Sequence, residues 1–149
     1  MISIFGSGCR FRPSPFDSLM EDHMKYMLLI YNEEKAWPKF TEAERQGFMG
    51  EFMKFTQQLQ SAGQWLSSSQ LQPTSAATSV RVRDGKRLVT DGPFAETREQ
   101  LGGYYLIEAK NLDEAIAIAA RIPSVSAGTV EVRPLVERPA QATAQGRDD

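Results

Sequence analysis

The sequence predicts an α+β domain of the ferredoxin-like class, a split β-α-β sandwich, and three observations support this fold class. A chain of 149 residues, 41% of them hydrophobic, fits one domain with a core of its own. The apolar segments follow the order strand, helix, strand, hairpin, strand, helix, strand. Without the hairpin, this order is the split β-α-β repeat, in which both helices cover one face of an antiparallel sheet.

The first strand and the first helix carry the strongest local signals. Residues 25–31 (KYMLLIY) form an apolar, aromatic and branched run that predicts a central strand. Thr41 and Glu44 have the spacing of a capping box, which marks a helix start. The apolar stripe of this helix, expected to face the core, consists of Phe48, Phe52, Phe55 and Leu59. Gly63 is expected to end the helix.

A weak strand and a hairpin are predicted next. Residues 64–72 form a weak strand candidate, and residues 78–83 alternate so that Val80 and Val82 are expected to face inward. Asp84-Gly85 is a strong two-residue turn signal, after which residues 86–90 return as the partner strand.

The second half of the repeat follows the hairpin. Residues 101–109 predict a strand, Asn111 caps a second helix, Pro123 stops it, and residues 129–136 predict the closing strand. The expected buried face of the second helix consists of Leu112, Ala115, Ile116 and Ala119.

The sheet of such a domain has one face without helices, and that face needs cover. A partner subunit usually provides it, so we expect a homodimer whose two sheets face each other.

The ends of the chain differ from its centre in composition. Residues 1–23 are rich in Gly, Ser, Pro and Arg and are interpreted as a flexible arm or as the product of an upstream start codon. Residues 137–149 read as a disordered tail, which leaves residues 24–136 as the folded unit. The single cysteine, Cys9, allows no disulfide within one chain, and no convincing signal peptide or apolar run of about 20 residues is present. We therefore expect a cytoplasmic protein without membrane association.

The charge balance argues against nucleic acid as a direct partner. Seventeen basic and nineteen acidic side chains give a net charge of −2, whereas phosphate binding needs a positive surplus. The one basic run, Arg81, Arg83, Lys86 and Arg87, is expected to be a solvated strand face.

Residues 91–99 (DGPFAETRE) resemble the signature of the DGPF-type members of the YCII-related family. The likeness extends to four further blocks in the same order, at residues 24–31, 80–85, 100–105 and 129–134. The resemblance implies a dimeric α/β barrel over roughly residues 24–135. It also suggests a link to extracytoplasmic-function sigma factors. The histidine-based chemistry of broader YCII-like proteins does not transfer, because His23 is the only histidine and lies outside the folded unit.

Asp91 and Glu96 are the candidate catalytic residues, because paired carboxylates can perform acid–base chemistry. For Asp91, a turn-capping role is favoured about two to one, since Asp before Gly is turn chemistry. For Glu96, a solvated loop position is slightly favoured. No cofactor is predicted, and two carboxylates without a histidine are a weak metal signal.

Three residues are candidates for ligand binding. Phe94 is most simply an anchor that tucks the loop into the core, although it could also form a pocket wall. Tyr31 and Arg133 are expected at the ends of central strands. Arg133 could clamp a carboxylate bidentately or pair with Glu131 or an acid of the partner chain.

Two functions are compatible with these features. The first is a cleft near the loop of residues 91–96 that binds a small molecule and could also serve as an enzyme active site. The alternative is a non-catalytic accessory or regulatory protein that acts through protein–protein contacts, which the absence of a recognised catalytic motif favours.

Overall fold

The computed structural model describes residues 23–137 and contains the predicted order of elements. The expectations for residues 1–22 and 138–149, including the one for Cys9, lie outside the described residues. The strands are β1 (Met24–Asn32), β2 (Trp65–Gln70), β3 (Thr78–Arg83), β4 (Lys86–Asp91), β5 (Gln100–Ala109) and β6 (Thr129–Pro134). The helices are α1 (Glu42–Ser61) and α2 (Leu112–Ala119), with short 3-10 helices at Glu34–Lys39 and Thr74–Ala76.

Four strands form an antiparallel sheet in the order β2-β5-β1-β6. This order, with β1 and β5 in the centre, is compatible with a ferredoxin-like α+β fold. Strand β6 lies at an edge of the sheet, so the expectation that Arg133 belongs to a central strand is wrong. Strands β3 and β4 pair only with each other and form a separate hairpin.

The long helix α1 has the predicted start and end. The Thr41 hydroxyl accepts a hydrogen bond from the Glu44 amide at 3.1 Å, and the Glu44 carboxylate accepts one from the Thr41 amide at 2.9 Å. Gly63 follows the helix with a φ of 70°, a conformation that favours glycine. Phe55 and Leu59 are fully enclosed in the core, as the spacing predicts.

The second helix, α2, buries a different face from the predicted one. Ala115 and Ala119 are buried as expected, but Leu112 and Ile116 are each 49% exposed. Ile118 and Ile122 fill the core in their place. Apolar residues surround most of this short helix, so helical spacing alone allows more than one buried stripe.

The hairpin has the predicted turn but no buried face. Asp84 and Gly85 both have positive φ, at 52° and 73°, as a two-residue hairpin turn requires. Val80 and Val82 are 59% and 60% exposed, so the expectation that they face inward is wrong. The alternation of apolar and polar residues predicted a strand with one buried face. Neither valine is buried, because the hairpin does not pack against the core.

The face of the sheet opposite the helices is not covered within residues 23–137. Strand β1 turns Tyr26, Leu28 and Ile30 toward the helices, where they are buried. Met27 and Leu29 alternate with them and therefore lie on the other face, where they are only half-buried. We call this second surface the open face.

Neither helix of residues 23–137 combines the length and the apolar character that a membrane-spanning helix requires.

Candidate functional site

The loop that resembles the family signature, residues 91–99, is attached to one end of the open face. At this end β1 finishes and β5 and β6 begin. The Thr129 hydroxyl donates a hydrogen bond of 2.9 Å to the Glu99 carboxylate, and Thr129 lies opposite Tyr31 in the β1–β6 pairing. The structure therefore brings Tyr31, Glu99 and Thr129 together where the loop meets the sheet.

A second set of contacts fixes neighbouring loops at the same end of the molecule. The Glu34 carboxylate accepts hydrogen bonds from the Thr74 amide at 2.8 Å and from the Thr74 hydroxyl at 2.7 Å. The Glu34 amide donates to the Gln100 side-chain oxygen at 3.0 Å. These contacts join residues 40 and 66 positions apart, and no local sequence pattern identifies them in advance.

Asp91 is the last residue of β4, and its side chain is exposed. The following turn is held by the Gly92 amide, which donates to the Ala77 carbonyl at 2.7 Å, and by the Ser79 hydroxyl, which donates to the Gly92 carbonyl at 2.8 Å. The favoured turn-capping role of Asp91 is therefore not observed, since its carboxylate accepts no hydrogen bond from any described residue. The Asp91 carboxylate is left available for another partner.

Glu96 is also exposed and makes no hydrogen bond or ion pair within residues 23–137. The pairing of Glu96 with Asp91 stays a prediction. Residues 23–137 also contain no group of three or more His, Cys, Asp or Glu side chains that could hold a metal ion.

Phe94 does not anchor the loop in the core. Its side chain is 79% exposed, so that expectation is wrong. The Arg81 guanidinium of the hairpin lies 5.3 Å from the centre of the Phe94 ring, within the range of a cation–π interaction. The hairpin and the loop therefore contact each other at the surface through Arg81 and Phe94.

Tyr31 and Arg133 both belong to the open face but at different positions along it. Tyr31 lies opposite Leu101 and Thr129, close to the loop. Arg133 lies farther along β6 and forms an ion pair with Glu131. The pairing with Glu131, one of the alternatives predicted for Arg133, is therefore the one that forms within a single chain.

Among residues 23–137, Tyr105 has a perturbed pKa, and it lies on the helix side of the sheet. Burial raises the pKa of the Tyr105 hydroxyl, and a hydrogen bond of 2.8 Å with the Thr56 hydroxyl opposes this shift. Two surface depressions beside α1 also lie away from the loop. One is lined by Lys54, Gln57, Gln58, Ser61 and Ala62, and the other includes Glu51 and Arg121.

The antiparallel sheet, with the helices on one side of it and the loop at its end, forms an α+β domain that is compatible with ferredoxin-like topology. Comparison of sequences assigns the family. The family model of the YCII-related domain matches residues 24–138, and the chain belongs to this family. The chain is also 39% identical over 114 residues to Uncharacterized protein R00369 of Rhizobium meliloti (strain 1021). That alignment covers 75% of this chain and 92% of the relative.

Proposed function

We propose that this protein is a homodimer that binds a small molecule in a cleft between the open face and the loop of residues 91–96. The observation that supports the proposal is the attachment of this loop to the open face through Glu99 and Thr129, next to Tyr31. A second subunit placed over the open face would turn this shallow corner into an enclosed site, as small-molecule sites generally are.

The side chains around this corner favour a polar ligand. Asp91 and Glu96 provide carboxylates without a partner among residues 23–137, and these accept hydrogen bonds or bind a cationic group. Tyr31 provides a hydroxyl, and Phe94 provides an exposed ring against which a planar or cationic group can stack. Arg133 lies on the same face and would exchange Glu131 for a ligand carboxylate or for an acid of the partner.

An enzyme built on this site would use the carboxylates of Asp91 and Glu96 for acid–base chemistry. This role requires both carboxylates to reach the same substrate. Binding is therefore the first property to test, and turnover the second.

A thermal-shift screen of the full chain against a metabolite library tests the proposal, because a ligand that binds the folded state raises the melting temperature. Asp91→Asn should abolish the shift of any stabilising compound without lowering the melting temperature of the free protein. Asp84→Asn is the matched control, since Asp84 is an exposed turn residue whose positive φ asparagine tolerates. A ligand shift that survives Asp91→Asn would argue against a site at this loop.

A non-catalytic accessory role is the second candidate, and the exposure of Phe94 favours it. An exposed aromatic ring is typical of an anchor for another protein. Affinity capture with the full chain and with Phe94→Ala tests this role. A protein retained by the wild type and lost with Phe94→Ala would support it. Recovery of only the chain itself would favour the small-molecule site.

A further inference from the structure

The hairpin of β3 and β4 exposes apolar side chains on both of its faces. Val80 lies opposite Val89 in the pairing, and these two residues share one face with Val82. All three valines are between 58% and 60% exposed. The other face carries Leu88 and Arg81, and Arg81 holds the exposed ring of Phe94.

Such a hairpin needs a surface to pack on. An isolated two-stranded hairpin is at best marginally stable in water, and three or more strands or a packed helix are normally required. Within residues 23–137, β3 and β4 pair only with each other. The polar contacts that Gly92 makes with Ala77 and Ser79 close the base of the hairpin rather than cover its valines.

We propose that this hairpin is an arm that grips the second copy of the chain and packs its valine face, Val80, Val82 and Val89, against that copy. The inference rests on the homodimer in the proposed function and specifies a further part of its interface.

The size of the open face supports a second copy as the occupant. Four strands spaced about 4.8 Å apart, with six to ten residues at about 3.3 Å each, present roughly 500 Å². A standard stable interface buries about 800 Å² on each partner. Each face of the hairpin adds about 200 Å² by the same dimensions. The open face together with the valine face of the arm, roughly 700 Å², therefore approaches the area that a stable dimer requires.

The charge of the hairpin also supports a second copy of the chain as its partner. The arm carries four basic side chains, Arg81, Arg83, Lys86 and Arg87, against two acidic ones, Asp84 and Asp91. The remaining described residues contain more acidic than basic side chains. The net charge of the arm is therefore opposite in sign to that of the domain that a second copy presents to it, which favours their association.

Sedimentation equilibrium of the full chain tests the arm. The triple variant Val80→Thr, Val82→Thr, Val89→Thr keeps the β-branched shape of each side chain but adds a hydroxyl that a dry interface disfavours. We expect its dimer dissociation constant to rise ten- to a hundredfold. The control variant Leu112→Gln, Ile116→Gln alters two exposed apolar residues of α2 and should leave the constant within twofold of wild type.

A variant of the open face separates failure of the arm from failure of the dimer. Leu29→Glu places a charge at the centre of the open face and should produce a monomer. If Leu29→Glu dissociates the dimer and the triple variant does not, the arm is overturned while the dimer stands. A wild-type chain that is already monomeric at micromolar concentration overturns both.

Amide hydrogen exchange gives a second readout that does not depend on the triple variant folding. Amides of residues 78–91 should exchange at least tenfold more slowly in the wild-type dimer than in the Leu29→Glu monomer. Equal exchange in the two proteins would contradict the arm. Wild-type amides that become protected only when heparin is added would also contradict it, because the basic arm would then serve a polyanion.

Discussion

Two glycines, one beside the candidate site and one far from it, differ in the space that a side chain would find. A Cβ atom on Gly128 would lie 2.3 Å from the Tyr31 carbonyl oxygen, a contact that requires the backbone to move. A Cβ atom on Gly47, in α1, would meet nothing within 4 Å. The approach of β6 to the Tyr31 end of β1 therefore depends on the absence of a side chain at Gly128.

We predict that Gly128→Ala lowers the free energy of unfolding by at least about 2 kcal/mol, since the clash is with backbone atoms. Gly47→Ala should raise it by about 0.5–1 kcal/mol, because alanine is the better helix former. Urea unfolding of both variants provides the measurement. Equal effects of the two substitutions would show that the close approach at Tyr31 is not rigid.

A pH dependence follows from the buried hydroxyl of Tyr105. Its folded-state pKa is raised above the ordinary value of about 10, so folding favours the protonated form. This contribution is fully present below pH 10 and is lost as the pH rises through the folded-state pKa. We predict a steeper loss of stability between pH 9 and 11 in the wild type than in Tyr105→Phe, measured by urea unfolding.

Tyr104→Phe is the control for this measurement, since Tyr104 lies on the opposite face of β5. Tyr105→Phe should also cost about 1 kcal/mol at pH 7 through the lost hydrogen bond with Thr56. Parallel loss of stability by Tyr105→Phe and wild type above pH 9 would contradict a role of the Tyr105 hydroxyl in this pH dependence.

At the scale of elements, local chemistry predicts where helices begin and end better than which face they bury. The capping box of Thr41 and Glu44 and the positive φ of Gly63 are local features, and both are confirmed. The buried face of α2 depends on the sheet beneath it. Leu112 and Ile118 are equally apolar, and only the packed structure shows that Ile118 is the buried one.

The hairpin shows the same limit for strands. Alternation correctly predicts the strands and the Asp84-Gly85 turn. It cannot show whether the valine face meets a core, since that depends on where the hairpin projects from the domain. The exposure of Val80 and Val82 therefore became evident only in three dimensions.

We predict that Thr41→Ala lowers the free energy of unfolding by about 1 kcal/mol, because both reciprocal hydrogen bonds of the capping box are lost or weakened. Thr41→Ser keeps the hydroxyl and should remain within about 0.5 kcal/mol of wild type. Chemical denaturation measures both variants. A Thr41→Ser variant as destabilised as Thr41→Ala would assign the effect to the threonine methyl group instead.

At the scale of the whole molecule, the sequence predicted the order of the elements and the segment that contains the candidate site. It also led to the expectation of an open face. It did not reveal the contacts that attach the loop, since Glu34 reaches Thr74 and Gln100 only after the chain has folded. The roles of Asp91, Glu96, Tyr31, Phe94 and Arg133 in binding or catalysis remain predictions.

The homodimer is the claim on which both the enclosed site and the gripping arm depend. Sedimentation equilibrium of the full wild-type chain at micromolar concentration tests it most directly, because the method measures mass without assuming a shape. We expect a species of twice the chain mass of 16.7 kDa. A single species at 16.7 kDa would contradict it and leave the open face without the proposed partner.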